Sequence, residues 1–339
     1  MTARIVYVGP RSGTTLHRAR ALEHLGAQLL YVEADVLHSW LARQLYRVGN
    51  RLRRPPDVFG ANAGLLEAVR AHHPQILWVD KGRSIHARTL RAARAVAPGI
   101  RIVNYSPDDM FNPANHSRQY ARAIPEYDLL VTTKSYNVAE LRAAGARDVL
   151  FIDNAYDPEV HRPLALSEEQ RRLYAAEVGF VGQYERERAD AMVALAEAGI
   201  PVTAFSWDWD LRRHQHPNLD VRRRFLDGLD YARAVNATRI NLGFLRKVNR
   251  DLQTTRSIEI PACGGFLLAE RTDEHRLLFE EGEEAEFYGS TDELIGKCRH
   301  YLAHEEARRA VAEAGRRRCL SAGYSNKDRL AKVLARALG

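Results

Sequence analysis

The sequence predicts an α/β chain made of two doubly wound domains, each a parallel sheet with helices on both faces. Three observations carry this expectation. Short continuous apolar runs such as Gln75–Val79 and Gly265–Ala269 alternate with stretches of 3.6-residue periodicity. The alternation breaks once, over Asp157–Glu177, and then resumes. The length of 339 residues exceeds what one hydrophobic core usually holds.

In the first half, Arg4–Val8 reads as a strand, Thr14–Leu25 as a helix closed by Gly26, and Gln28–Val32 as the next strand. His38–Val48 and Ala63–His72 read as helices. Gln75–Val79 is a strongly apolar strand and Ile85–Val96 a helix. Ile100–Tyr105 and Leu129–Thr132 are strands, Val138–Ala144 a helix and Val149–Ile152 a strand. Residues 1–156 thus form one domain. The stretch 157–177, with Pro158, Pro163 and a polar helical segment, reads as a linker.

The second alternation runs from Val178–Val181 (strand) through Arg188–Ala198 (helix), Val202–Phe205 (strand), Tyr231–Asn236 (helix) and Arg239–Leu242 (strand). A helix starts near Thr255, a strand covers Gly265–Ala269, a helix Asp273–Phe279 and a short strand Ala285–Tyr288. Thr291–Leu302, Glu305–Leu320 and Asn326–Leu338 read as closing helices. The second domain spans 178–322. In the last helix Leu330, Val333, Leu334 and Leu338 form one stripe that must pack on something.

Composition narrows the function classes. An apolar fraction of 45% is that of a globular chain. The net charge of +7 favours anionic partners: nucleotide sugars, anionic lipid surfaces or nucleic acid. Lysine occurs only at 81, 134, 247, 297, 327 and 332, so arginine dominates, which suits bidentate binding of phosphate or carboxylate. Coding bias, which raises Ala and Arg together, explains the same excess. Cys263, Cys298 and Cys319 are widely spaced and odd in number, indicating neither a zinc site nor a disulfide framework and fitting a reducing cytoplasm. No signal-peptide pattern or membrane-spanning apolar run occurs. A nucleic-acid function lacks a motif, a basic tail and stacking aromatics.

The chemistry concentrates in Asn249–Glu270, NRDLQTTRSIEIPACGGFLLAE. Thr254 and Thr255 suit the N-cap of a short helix ended by Gly264–Gly265. A helix N-terminus at a strand end offers free N–H groups and a favourable dipole to an anion. Arg256, in the first turn, adds a bidentate phosphate contact. Glu259, three residues on, lies on roughly the same face and can accept hydrogen bonds from vicinal hydroxyls such as those of ribose. A surface Arg–Glu pair with a glycine cap would give the same spacing.

In the first half, Asp108 and Asp109 follow the strand Ile100–Tyr105. They can orient or deprotonate a hydroxyl, or serve the turn in "SPDD". Lys81 follows Gln75–Val79 in the same way. His17, His86 and His116 lie near strand–helix junctions. Gly9–Gly13 with Thr14 and Thr15 forms a tight turn without the lysine of a phosphate loop. Asp208 and Asp210 have the spacing of a metal-binding Asp-x-Asp without its flanking pattern and read as a solvated loop.

Several segments resemble a known family. "RSIEIPACGGFLLAE", "LLFEEGEEAEFYGSTDELIGKCRHYL" and "ARRAVAEAGRRR", preceded by "VGFVGQYERER" and "YARAVNATRINLGF", resemble the C-terminal domain of CgeB-like glycosyltransferases of the GT-B class. "QILWVDKG", "NYSPDDMF", "YDLLVTTKSYNVAELRAAGARDV" and "DPEVHRP" are similar to its N-terminal domain. The resemblance implies two Rossmann-like domains facing a central cleft, with the C-terminal helix crossing back to the first. It implies a sugar transferred from a nucleotide-sugar donor to a hydroxyl-bearing acceptor (glycan, lipid-linked or small molecule), with no metal and no cofactor. In related retaining enzymes two acidic residues eight positions apart flank the donor. The second, on ribose, matches Glu259. The first, on the donor sugar, falls on Asp251, shorter than the glutamate of that pattern. Gly182 and Gln183, with Arg186 and Arg188, are implied near the donor phosphates, as are Arg246 and Lys247. Rival readings are an epimerase or hydrolase of nucleotide sugars on the same scaffold, and a binding protein without catalysis.

Overall fold

The structure, a computed structural model, describes residues 3–34, 40–58 and 60–339. It divides into two compact units, one of residues 1–153 with 326–339, the other of residues 154–325.

In the first unit β1 (Arg4–Val8) leads to α1 (Gly13–His24), β2 (Gln28–Val32), α2 (Trp40–Arg51) and α3 (Ala61–His72). The chain continues through β3 (Ile76–Asp80), α4 (Ala87–Val96), β4 (Arg101–Ser106), α5 (Arg118–Ala123), β5 (Leu129–Thr132), α6 (Asn137–Ala143) and β6 (Val149–Phe151). The expected start of the second helix at His38 lies outside the described residues. The six strands are parallel, in the order β2-β1-β3-β4-β5-β6. Every residue of β3 is buried, as parallel strands covered on both faces must be.

The second unit begins with α7 (Glu168–Tyr174), inside the stretch expected to be a linker. It is capped by Ser167, whose hydroxyl accepts from the Gln170 N–H. There follow β7 (Ala176–Val181), α8 (Arg186–Glu197), β8 (Val202–Phe205), β9 (Leu219–Arg222), α9 (Gly228–Ala237), β10 (Thr238–Gly243) and α10 (Thr255–Ala262). Then come β11 (Leu267–Glu270), α11 (Asp273–Leu278), β12 (Glu286–Tyr288), α12 (Thr291–Ala303) and α13 (Glu305–Ser321). This sheet is also parallel, in the order β12-β11-β10-β7-β8-β9. Its edge strand β9 carries Asp220 and Arg222 and was not expected from the sequence. Two of its four residues are charged, which suits an edge and hides the apolar signal.

In both sheets the chain reverses direction beside its first strand. Those switch points, between β1 and β3 and between β7 and β10, are where an open parallel sheet leaves a crevice beyond its strand ends.

The closing helix α14 (Asn326–Leu338) belongs to the first unit, where it packs on α1 and β4. Leu330 and Val333 are buried in a cluster with Ile5, Leu22 and Trp78, and Arg101 Nε donates to the Ala337 carbonyl at 3.1 Å. Leu330→Ala should therefore destabilise the first unit by about 2–5 kcal/mol, the usual cost of truncating a buried leucine. Urea unfolding measures this. A change within about 0.5 kcal/mol, the scale of surface substitutions, would show that α14 is not part of this core.

Candidate active site

The switch point of the second sheet is organised by Arg188, on the first turn of α8. Its guanidinium is only 4% exposed and donates to two carbonyls, Leu245 after β10 (3.3 and 3.1 Å) and Gln183 after β7 (3.2 Å). The side chain therefore ties together the loops on either side of the crevice. Its guanidinium carbon lies 5.6 Å from the centre of the Phe180 ring, and that of Arg256 lies 5.5 Å from the same ring. One aromatic side chain thus carries two cations. Gly182 makes room for this. A Cβ at that position would lie 2.6 Å from Phe180 Cζ, so any side chain would push the ring from beneath the two guanidiniums.

The charges at this site do not balance. Burial, and after it the positive charge of Arg256, lower the pKa of Arg188 to about 10, with Arg246 acting in the same direction and Glu185 and Asp251 opposing. Glu185 serves two arginines, Arg246 at 3.1 Å and Arg188 at 3.6 Å. Lys247 is matched by Glu270, and Arg186 is exposed and pairs with Asp190 at 3.7 Å. Arg256 has no carboxylate partner among the described residues, and its Nε is buried without a hydrogen bond. A partly buried cation in that position stabilises any anion that reaches it.

Arg256 belongs to the first turn of α10, whose N-cap is Thr254 in an extended conformation (φ −133°, ψ 173°). The N-terminus is held by a buried chain of hydrogen bonds. The Thr254 N–H donates to Ser257 Oγ (3.1 Å), which lies 2.7 Å from His275 Nε2. His275 Nδ1 lies 2.6 Å from the Glu270 carbonyl. That carbonyl can only accept, so Nδ1 carries the proton and Nε2 accepts from the Ser257 hydroxyl. Burial lowers the His275 pKa, keeping the ring neutral and the chain in one orientation. The amides of Thr255 and Arg256 have no acceptor within the helix, as at any helix start. At the other end Gly264 adopts φ +77° and its N–H donates to the Pro261 carbonyl, so it caps the helix.

Glu259 is 7% exposed and faces His161, whose Nε2 lies 3.7 Å from Glu259 Oε1. His161 Nδ1 accepts the Asp157 N–H at 3.0 Å, so the ring proton is on Nε2 and points to the carboxylate. Burial lowers the His161 pKa to about 4, so the contact is a neutral donor facing an anion rather than an ion pair. Tyr231 completes this wall, edge-on to His161 at 5.7 Å. Burial, then the charge of Glu259, raises its phenol far above the ordinary value. Asp251 is buried close by in sequence and accepts from Asn249 Nδ2 at 2.9 Å.

The first unit has its own cavity, about 210 Å³, at the switch point between β1 and β3. Pro10, Tyr46, Asp80, Lys81, Arg83 and Asp108 are among its walls. Lys81 Nζ pairs with Asp108 Oδ2 at 2.6 Å. Lys81 itself holds φ +58°, a left-handed conformation uncommon for a side-chain-bearing residue and frequent at functional sites. Asp80 beneath it is saturated by Tyr7 and by both edges of the Arg18 guanidinium, each at 2.9 Å. The two expected aspartates separate here. Asp108 lines the cavity, whereas Asp109 is fully buried and accepts from the Phe111 N–H (3.1 Å) and Asn137 Nδ2 (3.0 Å), the turn-forming role. His17, His86 and His116 do not line the cavity. Asp208 accepts from Ser206 Oγ in its own loop and from the Tyr184 N–H in the loop after β7, both at 2.9 Å.

His161, Phe180, Tyr231 and Arg83 are the site residues that the sequence reading missed. Each owes its place to tertiary contact with a segment far away in sequence. The one local signal was the glycine two residues after Phe180.

Two outcomes test this geometry. Gly182→Ala should destabilise the protein by about 1–3 kcal/mol through overpacking, and in a Phe180→Ala background it should cost far less. Equal costs in both backgrounds would mean that the ring is not what Gly182 accommodates. The second concerns acid. The unfolded His161 binds a proton near pH 6.5, the folded one only near pH 4. The unfolded state thus holds more protons between these values, so stability contributed by the neutral ring is complete above pH 6.5 and lost as pH falls towards 4, about 3 kcal/mol in all. His161→Gln should flatten that part of the stability–pH curve, and an unchanged slope would refute the assignment.

Comparison with known proteins bears on the fold and on the second half of the chain. Residues 185–335 match the family model described as glycosyl transferase-like. No curated protein is significantly similar in sequence. HepE of Anabaena, solved in complex with UDP-glucose, shares the fold with a TM-score of 0.63 at 15% identity, over 98% of this chain and 99% of its own. Sucrose-phosphate synthase of Thermosynechococcus elongatus gives 0.63 at 12% identity over 99% of each chain. A glycosyltransferase of Rickettsia africae gives 0.62 at 13% identity, over 98% and 97%. At these identities the structures speak for the fold, and the family match over the second unit speaks for the activity. The chain has the two-domain fold of GT-B glycosyltransferases, and its residues 185–335 are glycosyl transferase-like.

Proposed function

We propose that this enzyme moves a sugar from a nucleoside diphosphate sugar held by the second unit to a hydroxyl of an acceptor held by the first. The observation that carries the reading is the unmatched Arg256, stacked with Arg188 on Phe180 and one helical turn from the buried carboxylate of Glu259. A diphosphate supplies the missing negative charge, and the ribose beside it supplies hydroxyls that donate to Glu259. UDP is the first nucleotide to test, because HepE was solved with UDP-glucose.

The roles follow from the chemistry of a departing diphosphate. As the bond between sugar and phosphate breaks, negative charge builds on the leaving oxygen. Arg256 and the amides at the start of α10 stabilise that charge, with Arg188 and Arg246 reinforcing the field. In this reading arginines, rather than a metal ion, neutralise the leaving group. His161 Nε2–H keeps Glu259 turned to the ribose. In this reading Asp251 contacts the donor sugar, the role that the resemblance to retaining enzymes with two acidic residues eight positions apart implies. In the cavity of the first unit, Asp108 takes the proton of the attacking hydroxyl, and Lys81, paired with it at 2.6 Å, orients its carboxylate. The acceptor is a sugar-sized polyol, given a cavity of about 210 Å³. The resemblance of the motifs around residues 256–268 supports a kinship with CgeB-like members of the class. Its three unbridged cysteines suit a cytoplasmic setting.

A ligand that binds only the folded state raises its stability, so UDP at about a hundred times its Kd should add about 2.7 kcal/mol, more than GDP or dTDP at the same concentration. Glu259→Ala should weaken UDP binding by about 1–3 kcal/mol. Asp108→Asn should reduce transfer at least about tenfold with UDP affinity intact, as expected for loss of a general base. Calorimetry and a transfer assay read these effects separately. UDP affinity lost in Asp108→Asn and kept in Glu259→Ala would reverse the two units' roles.

A further inference from the structure

The helix α2 carries two exposed rows that the transfer reaction does not use. Leu45, Val48 and Leu52 repeat at helical spacing, and they are 51%, 57% and 63% exposed. The Leu52 N–H continues the helical bonding to the Val48 carbonyl at 3.1 Å. Trp40, in the first turn, is 73% exposed. Beside this apolar stripe run Arg43, Arg47 and Arg51, all exposed, followed by Arg53 and Arg54. No acidic residue occurs anywhere in α2.

The inward side of the helix is fixed by contrast. Gly49 is buried so closely that a Cβ there would lie 2.5 Å from Pro56 Cδ. Tyr46 lines the cavity, and Asn50 Oδ1 accepts from Arg83 at 2.9 Å. The outward apolar stripe is therefore not a core face turned the wrong way by a rotated helix. Its register is set by contacts on the other side.

An outward stripe of leucine and valine, a flanking row of arginines, no carboxylate and a tryptophan at one end form the pattern of a helix lying in a membrane interface. The stripe enters the boundary between headgroups and acyl chains, the guanidiniums meet lipid phosphates, and the indole sits at headgroup depth. We propose that α2 docks the first unit on an anionic lipid surface. The charge row selects this occupant: a protein groove that takes an apolar helix face does not require an unbroken arginine row, whereas anionic lipid complements it. The inference stands independently of the transfer reaction.

The full-length protein is mixed with vesicles of phosphatidylcholine alone, or of phosphatidylcholine with phosphatidylglycerol, and the bound fraction is read by flotation. We expect binding to the anionic vesicles, at least about tenfold tighter than to the neutral ones and weakened by salt. The double variant Leu45→Asp/Val48→Asp should lose binding about tenfold or more at either salt concentration. Arg47→Glu/Arg51→Glu should lose the preference for anionic lipid. All four positions are exposed, and a circular-dichroism spectrum and urea unfolding transition like the parent's verify that each variant is folded. Equal binding to both vesicle types, or variants that float like the parent, would overturn the proposal. So would a free chain whose sedimenting mass falls in Leu45→Asp/Val48→Asp, since the stripe would then join copies of the chain.

Discussion

Arg188 is held almost out of water by two backbone carbonyls, and the charges that act on it most strongly include another arginine. Carbonyl dipoles can orient a guanidinium, but they do not neutralise it. The loops after β7 and β10 are joined through this one side chain, so the crevice between them is built around a cation that is only partly compensated. Arg256, stacked on the same Phe180 ring, adds to the surplus. Like charges gathered in a desolvated place raise the free energy of the empty site. A dianionic group entering it removes that cost and gains charge-assisted hydrogen bonds at once. The site is thus preorganised for the charge that a departing diphosphate develops, and no reorganisation is needed when it appears.

The supporting structure keeps these cations in place. Gly182 leaves space for Phe180 and Phe180 spaces the guanidiniums. The Thr254–Ser257–His275–Glu270 chain sets the first turn of α10, and His161 sets Glu259. The two histidines are buried and neutral, and in each the tautomer is dictated by a backbone group on the far nitrogen. One backbone N–H and one backbone C=O thus decide whether the Nε2 presented to the site carries the proton, with opposite results: a donor towards Glu259 and an acceptor towards Ser257.

Much of the fold was legible because buried parallel strands are written as continuous apolar runs, as in Ile76–Asp80 and Leu267–Glu270. β9 was not, since an edge strand needs little apolar character, and α5 was too short to show a period. The site was legible where its geometry is local. Arg256 and Glu259 share a helix face, and Asp108 follows a strand end. The family resemblance implied Arg188 near phosphates, but its carbonyl partners are visible only in three dimensions. The pair Asp108–Asp109 shows the limit of a motif: adjacent carboxylates look alike in sequence, and only packing sends one to the cavity and the other to Asn137. His161 was not singled out within DPEVHRP, because its partner Glu259 lies in a distant segment.

The most direct test compares thermal unfolding of the parent and Arg256→Gln, each with and without UDP. If the arginine cluster is a site strained by like charge and relieved by a diphosphate, Arg256→Gln should be at least as stable as the parent without nucleotide, and should lose most of the UDP-induced rise in Tm. A variant that is clearly less stable when empty, and gains as much from UDP as the parent does, would show that Arg256 serves the fold rather than the donor and would contradict the account.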